Sequence, residues 1–249
     1  MEIALAILSG IAIGSVLGYI GAGGSMLAVP AFIYIFGFTP VQATTASLIV
    51  VFVGAASGAL PKLRKNEILV KEALVIWAIG LSTNFAGAYF LPQIPEQLVL
   101  TGFALVLVVA GASMLIPTPK EFSERKVSPL ALIVISLIIG AITGLFGIGG
   151  GFLAIPILIL FYNVAPAKAA GTSLFIITIN TLTGFFAHIR HWDEVTWSIP
   201  IIMALMALLV SRWASHHGSK IPQIILKRAF AIFVFAIALF TLIDTWFIF

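Results

Sequence analysis

The sequence predicts an all-α integral membrane protein made of two inverted repeats of about five helical elements. Each repeat holds a half-helix broken at glycines. Three observations lead there. The 249-residue chain is 61% hydrophobic and only 9% charged, with a mean hydropathy of +1.18, whereas a soluble domain carries roughly 25% charged residues. Apolar stretches of about 17–25 residues, the length that crosses a bilayer, recur along nearly the whole chain. The stretch GYIGAGGSMLAVP at Gly18–Pro30 also returns as GLFGIGGGFLAIP at Gly144–Pro156.

The first repeat (residues 1–116) opens with an apolar span at Ile3–Ile20. No basic segment precedes it, so it reads as a retained helix and not a signal peptide. A short element at Ser25–Phe36 follows the glycines Gly21–Gly24, and spans at Val41–Leu60, Glu72–Leu91 and Gln97–Ile116 come next. The charged loop PKLRKNEILVK separates two of them. A polar linker, Pro117–Pro129, divides the halves. The second repeat (130–249) follows the same plan at Leu130–Phe146, Phe152–Tyr162, Ala167–Ala187, Val195–Trp213 and Gln223–Phe247.

The landmarks keep register. Gly14, Gly18, Gly21, Pro30, Pro40, Ala43, Ser47 and Gly58 match Gly140, Gly144, Gly147, Pro156, Pro166, Ala169, Ser173 and Gly184 at one constant offset. Later, QIPEQL (Gln93–Leu98) parallels KIPQII (Lys220–Ile225) one residue out of that register. This is an internal duplication.

The basic residues orient the copies. With an odd number of crossings per half, every lysine and arginine except Arg190 falls on one side. Short cytoplasmic loops concentrate such residues, so that side is expected to be the cytoplasm, with both termini outside and the linker inside. The net charge of +4 and pI near 9.5 therefore point to membrane topology and not to nucleic acid. There is no cysteine, which excludes disulfides and thiolate metal sites.

The short elements cannot span alone. Eleven or twelve residues make about 17 Å of helix, against roughly 30 Å of hydrocarbon. Gly14/Gly18 and Gly140/Gly144, four residues apart, read as close-packing positions. The clusters Gly21, Gly23, Gly24 and Gly147, Gly149, Gly150, Gly151 differ. Consecutive glycines weaken a helix by roughly 1 kcal/mol each relative to alanine, and irregular backbone at membrane depth persists only inside protein or beside a wet cavity. A half-helix starting there presents free N–H groups and a positive dipole end, which bind anions. Two inverted copies are expected to bring two such ends toward the midplane, as in transporters built from repeats.

At these residues the chain resembles the sulfite exporter TauE/SafE family. Two copies of a Gly-x-Gly-Gly-Gly-like break, each followed by a small-apolar run and a proline, carry the resemblance over nearly the whole chain. It implies a transporter in the cell inner (plasma) membrane for sulfur oxyanions or organosulfonates, with a small anion and the lipid bilayer as partners and a homodimer allowed. The first copy departs from the pattern with Ser25 where the second has Gly151. A hydroxyl there adds a donor without blocking the site.

Further site candidates follow each half-helix. In QATTAS and KAAGTS, the hydroxyls of Thr44, Thr45, Ser47, Thr172 and Ser173 can donate to oxyanion oxygens, or bond back to their own helix carbonyls. Asn180 is an amide inside an apolar span and must face protein, as helix glue or as a substrate contact. Asn84 carries the same two readings, with packing favoured because its surroundings are less polar. His188, Arg190, His191, Asp193 and Glu194 read as a solvated cluster at an outer helix end, and His216–His217 as a loop pair.

Absences narrow the rest. No HExxH, GxSxG or paired intramembrane aspartate occurs, so an enzyme is not expected, nor is a metal or other cofactor. Apart from Asp244, the span interiors hold almost no carboxylate, so no proton relay of that kind is visible and the membrane potential becomes the simplest driving force for export. The alternatives are a permease or importer for another small anion with ion coupling and, from a different class, a membrane enzyme or assembly factor.

Overall fold

The computed structural model describes residues 1–116, 128–160, 162–217 and 223–248. Most of the linker, residues 117–127, lies outside them, as do Lys220 and its neighbours. The described elements are helical, without a strand among them. In chain order they are α1 (Glu2–Ile20), α2 (Gly24–Pro30, continued by a π-turn, Ala31–Ile35), α3 (Pro40–Arg64), α4 (Val70–Phe90), α5 (Glu96–Met114), α6 (Pro129–Phe146), α7 (Gly151–Leu160), α8 (Pro166–Ala187), α9 (Ser198–His217) and α10 (Gln223–Ile243, with a π-turn at Asp244–Ile248).

Eight helical segments are long and apolar enough to cross a membrane, while Gly24–Ile35 and Gly151–Leu160 are too short. The chain is a multi-pass membrane protein. Local chemistry sets most boundaries. Prolines open α3, α6 and α8 at the first helical position, where the missing N–H costs nothing. Thr39 and Gln42 form a reciprocal capping box on α3 at 3.3 and 3.1 Å. At the other end α3 runs on through Pro61 to Arg64, further than expected, because a proline late in a helix interrupts only one turn. His216 and His217 form the last turn of α9 and not a loop.

The long helices α3 and α8 are the centre. Of their apolar windows 67% and 61% are buried, against 28% for α6 and 39% for α1. They run antiparallel. Leu48 lies beside Gly184 and Gly58 beside Leu174. Around them each half's first helix packs on the other half's fourth. Gly10, Gly14 and Gly18 of α1 meet Met203, Ala207 and Ser211 of α9, while Gly140 and Gly144 of α6 meet Gly80 and Asn84 of α4. Main chain touches main chain at these glycines, the close approach expected of small residues in lipid. The α5 and α10 helices pair antiparallel at the periphery, with Thr101 bonded to Trp246 at 3.0 Å and Gly111 against Phe235.

Candidate functional site

The two glycine clusters break the chain as expected. α1 ends on Gly21 (φ +82°) and α6 on Gly147 (φ +66°), whose N–H groups return to Leu17 O and Thr143 O at 2.9 Å. This left-handed cap is open to glycine because it has no Cβ. Both half-helices then start at mid-depth. Gly24 packs on Ile13 and Leu17 of α1, and Leu17 faces Gly54 in the middle of α3. Gly151 packs on Ser173 and Ile177, in the middle of α8.

The surroundings of the two breaks are unequal. Near the second break stand Thr44 and Ser47 at Gly147, Thr181 at Gly149 and Ser173 at Gly151. Near the first stand Ala170 at Gly21, Phe230 at Gly23, and Ile13 and Leu17 at Gly24. The register of the duplication explains this. Thr44, Asn180 and Thr181 correspond to Ala170, Gly54 and Ala55, so, Ser25 apart, polarity was kept or acquired at one break only.

The duplicated serines converge on that break. Ser47 Oγ has one proton for Thr44 O at 2.8 Å and Gly147 O at 3.3 Å, and Ser173 Oγ donates to Gly151 O at 2.7 Å. The loop is thus held by α3 at one end and by α8 at the other. Two other predicted hydroxyls serve elsewhere. Thr172 donates to Lys168 O at 2.8 Å and accepts from Leu69 N at 2.9 Å, tying the α3–α4 loop to α8. Thr45 Oγ1 has one proton for Val41 O at 2.8 Å and His188 Nδ1 at 3.2 Å.

Ser25 and Asn180 are fully buried, and Ser25 Oγ and both amide atoms of Asn180 lack any hydrogen-bond partner. Asn84 differs. Its Nδ2 donates to Asn180 O at 3.0 Å and Thr183 Oγ1 at 3.2 Å, so it joins α4 to α8 while its Oδ1 stays unpaired. An unsatisfied buried polar group costs about 1–3 kcal/mol, and native structures hold few of them. Asn180, with donor and acceptor both unmet at mid-depth, stands out.

His188 departs from its sequence reading. It is fully buried, with Nε2 at 2.9 Å from Gly144 O and Nδ1 at 3.2 Å from Thr45 Oγ1. A carbonyl only accepts, so Nε2 carries the proton. His188 therefore clamps the C-terminus of α8 to α3 and to the end of α6, one turn before the second break. The matching residue of the other half, Lys62, likewise lies against the other central helix, at Gly171, a likeness that shows only in the structure. His191 and Glu194 do pair near the surface at 2.8 Å.

Burial lowers the His188 pKa from 6.5 to about 4, with the Gly144 carbonyl opposing and His191 assisting. The folded state thus keeps the imidazole neutral where the unfolded chain would protonate it. Stability should be intact above about pH 6.5 and fall toward pH 4, by about 3 kcal/mol in all. Melting temperatures of the purified protein from pH 7 to 4 are expected to drop more steeply in wild type than in His188→Gln. Parallel curves would refute the assignment.

Comparison with known proteins agrees with this architecture. Residues 6–241 match the family described as "Sulfite exporter TauE/SafE". A "Probable membrane transporter protein" of Xylella fastidiosa (strain Temecula1) is 30% identical, with 96% of this chain and 94% of the relative aligned. The "Probable membrane transporter protein YunE" of Bacillus subtilis is 24% identical over 92% of this chain and 90% of its own length. A similarly described protein of Haemophilus influenzae is 23% identical over 95% and 97%.

Proposed function

Because this chain belongs to the sulfite exporter TauE/SafE family, whose members compared above are membrane transporters and not enzymes, we propose that it exports a small sulfur-containing anion, sulfite or an organosulfonate. The site is the second glycine break, Gly147–Gly151, with the N-terminus of α7, Thr44, Ser47 and Ser173 around it, and with Asn180 next to Thr181 on α8, the helix that lines the break. One observation carries this reading. Asn180 is a fully buried amide with no protein partner, on the helix that lines the break at mid-depth. An oxyanion passing there receives the Nδ2 protons and the free N–H groups at the start of α7.

The halves are proposed to be inverted copies, with the basic loops in the cytoplasm of a plasma-membrane protein. The antiparallel pairs α3/α8 and α5/α10 support this, each pair being equivalent helices of the two copies. Arg64, Lys65, Arg212, His216 and His217 also line one depression of about 520 Å³, so the ends of α3 and α9 share a side. Single cysteines at Asn66 and Asp193, equivalent loops of the two halves, should label from opposite sides of the membrane. Labelling from the same side would rule out inversion.

Export needs a driving force. Moving one negative charge outward through an inside-negative potential gains about 2.3 kcal/mol per 100 mV. At 1.4 kcal/mol per tenfold, that sustains a gradient of a little under fiftyfold for a monovalent anion. Liposomes with a potassium-diffusion potential and no pH gradient are expected to move sulfite or a sulfonate in the direction the potential dictates. Flux that ignores the potential and follows a pH gradient would overturn potential-driven export, and flux confined to non-sulfur anions would overturn the substrate class.

A further inference from the structure

Lys227 sits one turn before Phe230 on α10, as the first residue of the span Lys227–Phe247, and Phe230 is the ring that lies against Gly23 in the first glycine break. Its side chain is half-buried, and among the described residues it has neither a hydrogen bond nor an ion pair. It lines two narrow cavities on either side of α7. One is bounded by Tyr19, Ile20, Pro166 and Ala170, beside the point where α1 ends at Gly21. The other reaches Ser113 and Met114 of α5. Each is about 10 Å³, the room one water needs.

A cation in a partly desolvated apolar crevice is costly without a counter-charge, and ionisable groups within spans commonly mark ion and substrate pathways. The crevice itself supplies no carboxylate. Its lining is apolar apart from the Tyr19 and Ser113 hydroxyls. The duplication sharpens the point. In the register that aligns Gln93–Leu98 with Lys220–Ile225, Phe103 matches Phe230 and Leu100 matches Lys227. Leu100 is an ordinary buried apolar residue. One end of the molecule thus carries a charge where the other end carries leucine, the asymmetry a transporter with a preferred side of loading requires.

We propose that Lys227 is the capture site for the transported oxyanion at the basic end of the bundle, loading it at the first break before it passes to the polar second break. This rests on the reading of the protein as an anion transporter. It gives the apolar first break a role that its own lining does not supply. The ammonium attracts the anion to the mouth of these cavities, and Tyr19 adds a hydroxyl in one of them.

The full-length protein in liposomes, assayed for sulfite efflux, tests this. Lys227→Gln is expected to raise the half-saturating sulfite concentration about tenfold or more while leaving the maximal rate within about twofold. Lys227→Arg should stay near wild type, as should Arg228→Gln on the exposed neighbour. A lysine needed only for packing would lower yield or maximal rate without moving half-saturation, and an unchanged half-saturation in Lys227→Gln overturns the proposal. Should that variant fail to fold, the wild type suffices. Saturating sulfite should slow acetylation of Lys227, read by mass spectrometry, several-fold relative to Lys65, and equal slowing overturns the site. If sulfite and sulfonates are inert but phosphate or acetate gives both flux and protection, the sulfur substrate fails and the capture site stands. If no anion protects Lys227, the capture site falls.

Discussion

Asn180→Leu is expected to cut transport at least about tenfold and at the same time to stabilise the protein. The two side chains are close in size, so the core stays filled. What changes is an amide that is fully buried with donor and acceptor both unsatisfied. Removing it should recover about 1–3 kcal/mol, seen as a higher melting temperature in detergent. The same change deletes the Nδ2 protons offered to the anion. A hydrogen bond to a charged partner contributes about 1.5–3 kcal/mol, so transport should fall by roughly tenfold to more than a hundredfold. Asn84→Leu should behave oppositely in stability, because it breaks the bonds to Asn180 O and Thr183 Oγ1 that join α4 to α8. A destabilised Asn180→Leu that still transports would mean that Asn180 is structural glue and that the site lies elsewhere.

Gly144→Ala is expected to cost most of the folded yield. A Cβ there would run into the main-chain carbonyl of Asn84, and one at Gly140 into that of Gly80. These obstacles are backbone and cannot rotate away, so α4 and α6 must separate along their length. Overpacking typically costs 1–3 kcal/mol, and a clash with fixed backbone belongs at or above the top of that range. Gly102→Ala is the control. Its Cβ meets only the Phe146 ring edge, at 3.1 Å, which can tilt. Expression and monodispersity of Gly144→Ala, Gly140→Ala and Gly102→Ala measure the difference. Normal yield from Gly144→Ala would show that the helices are held apart by something other than these glycines. The positions inside the break are tight as well, since a Cβ added at Gly150 would lie 2.7 Å from the Ile139 side chain. Bulky replacement there should therefore impair folding together with transport.

Much of the architecture was present in the chain as one-dimensional information. Eight spans, two elements too short to cross, two glycine breaks and a duplication in register are local properties. Length, apolarity and the missing Cβ of glycine act within a few residues, and repeated spacing survives folding unchanged. The packing role of Gly14, Gly18, Gly140 and Gly144 was legible for the same reason, since four-residue spacing puts them on one helix face.

What only the tertiary structure decided is which polar groups meet. Ser47 and Ser173 look like symmetric partners in sequence, yet both hold the second break. Thr45 and Thr172 share their segments but are drawn away, one to Val41 O and His188, the other to the α3–α4 loop. Two asparagines that read alike part company, Asn84 into helix glue and Asn180 into an unpaired amide. His188 sits among charged neighbours in the chain, so it reads as solvated, and it is buried because α3 and α6 close over it. Bonds back to a residue's own helix, such as Thr45 to Val41 O, are local, but the partners that decide these roles come from other segments, His188 for Thr45 and Leu69 for Thr172 among them. A side chain's hydrogen bonds and burial follow from how antiparallel helices register and cross, and no spacing along one strand of sequence records that angle.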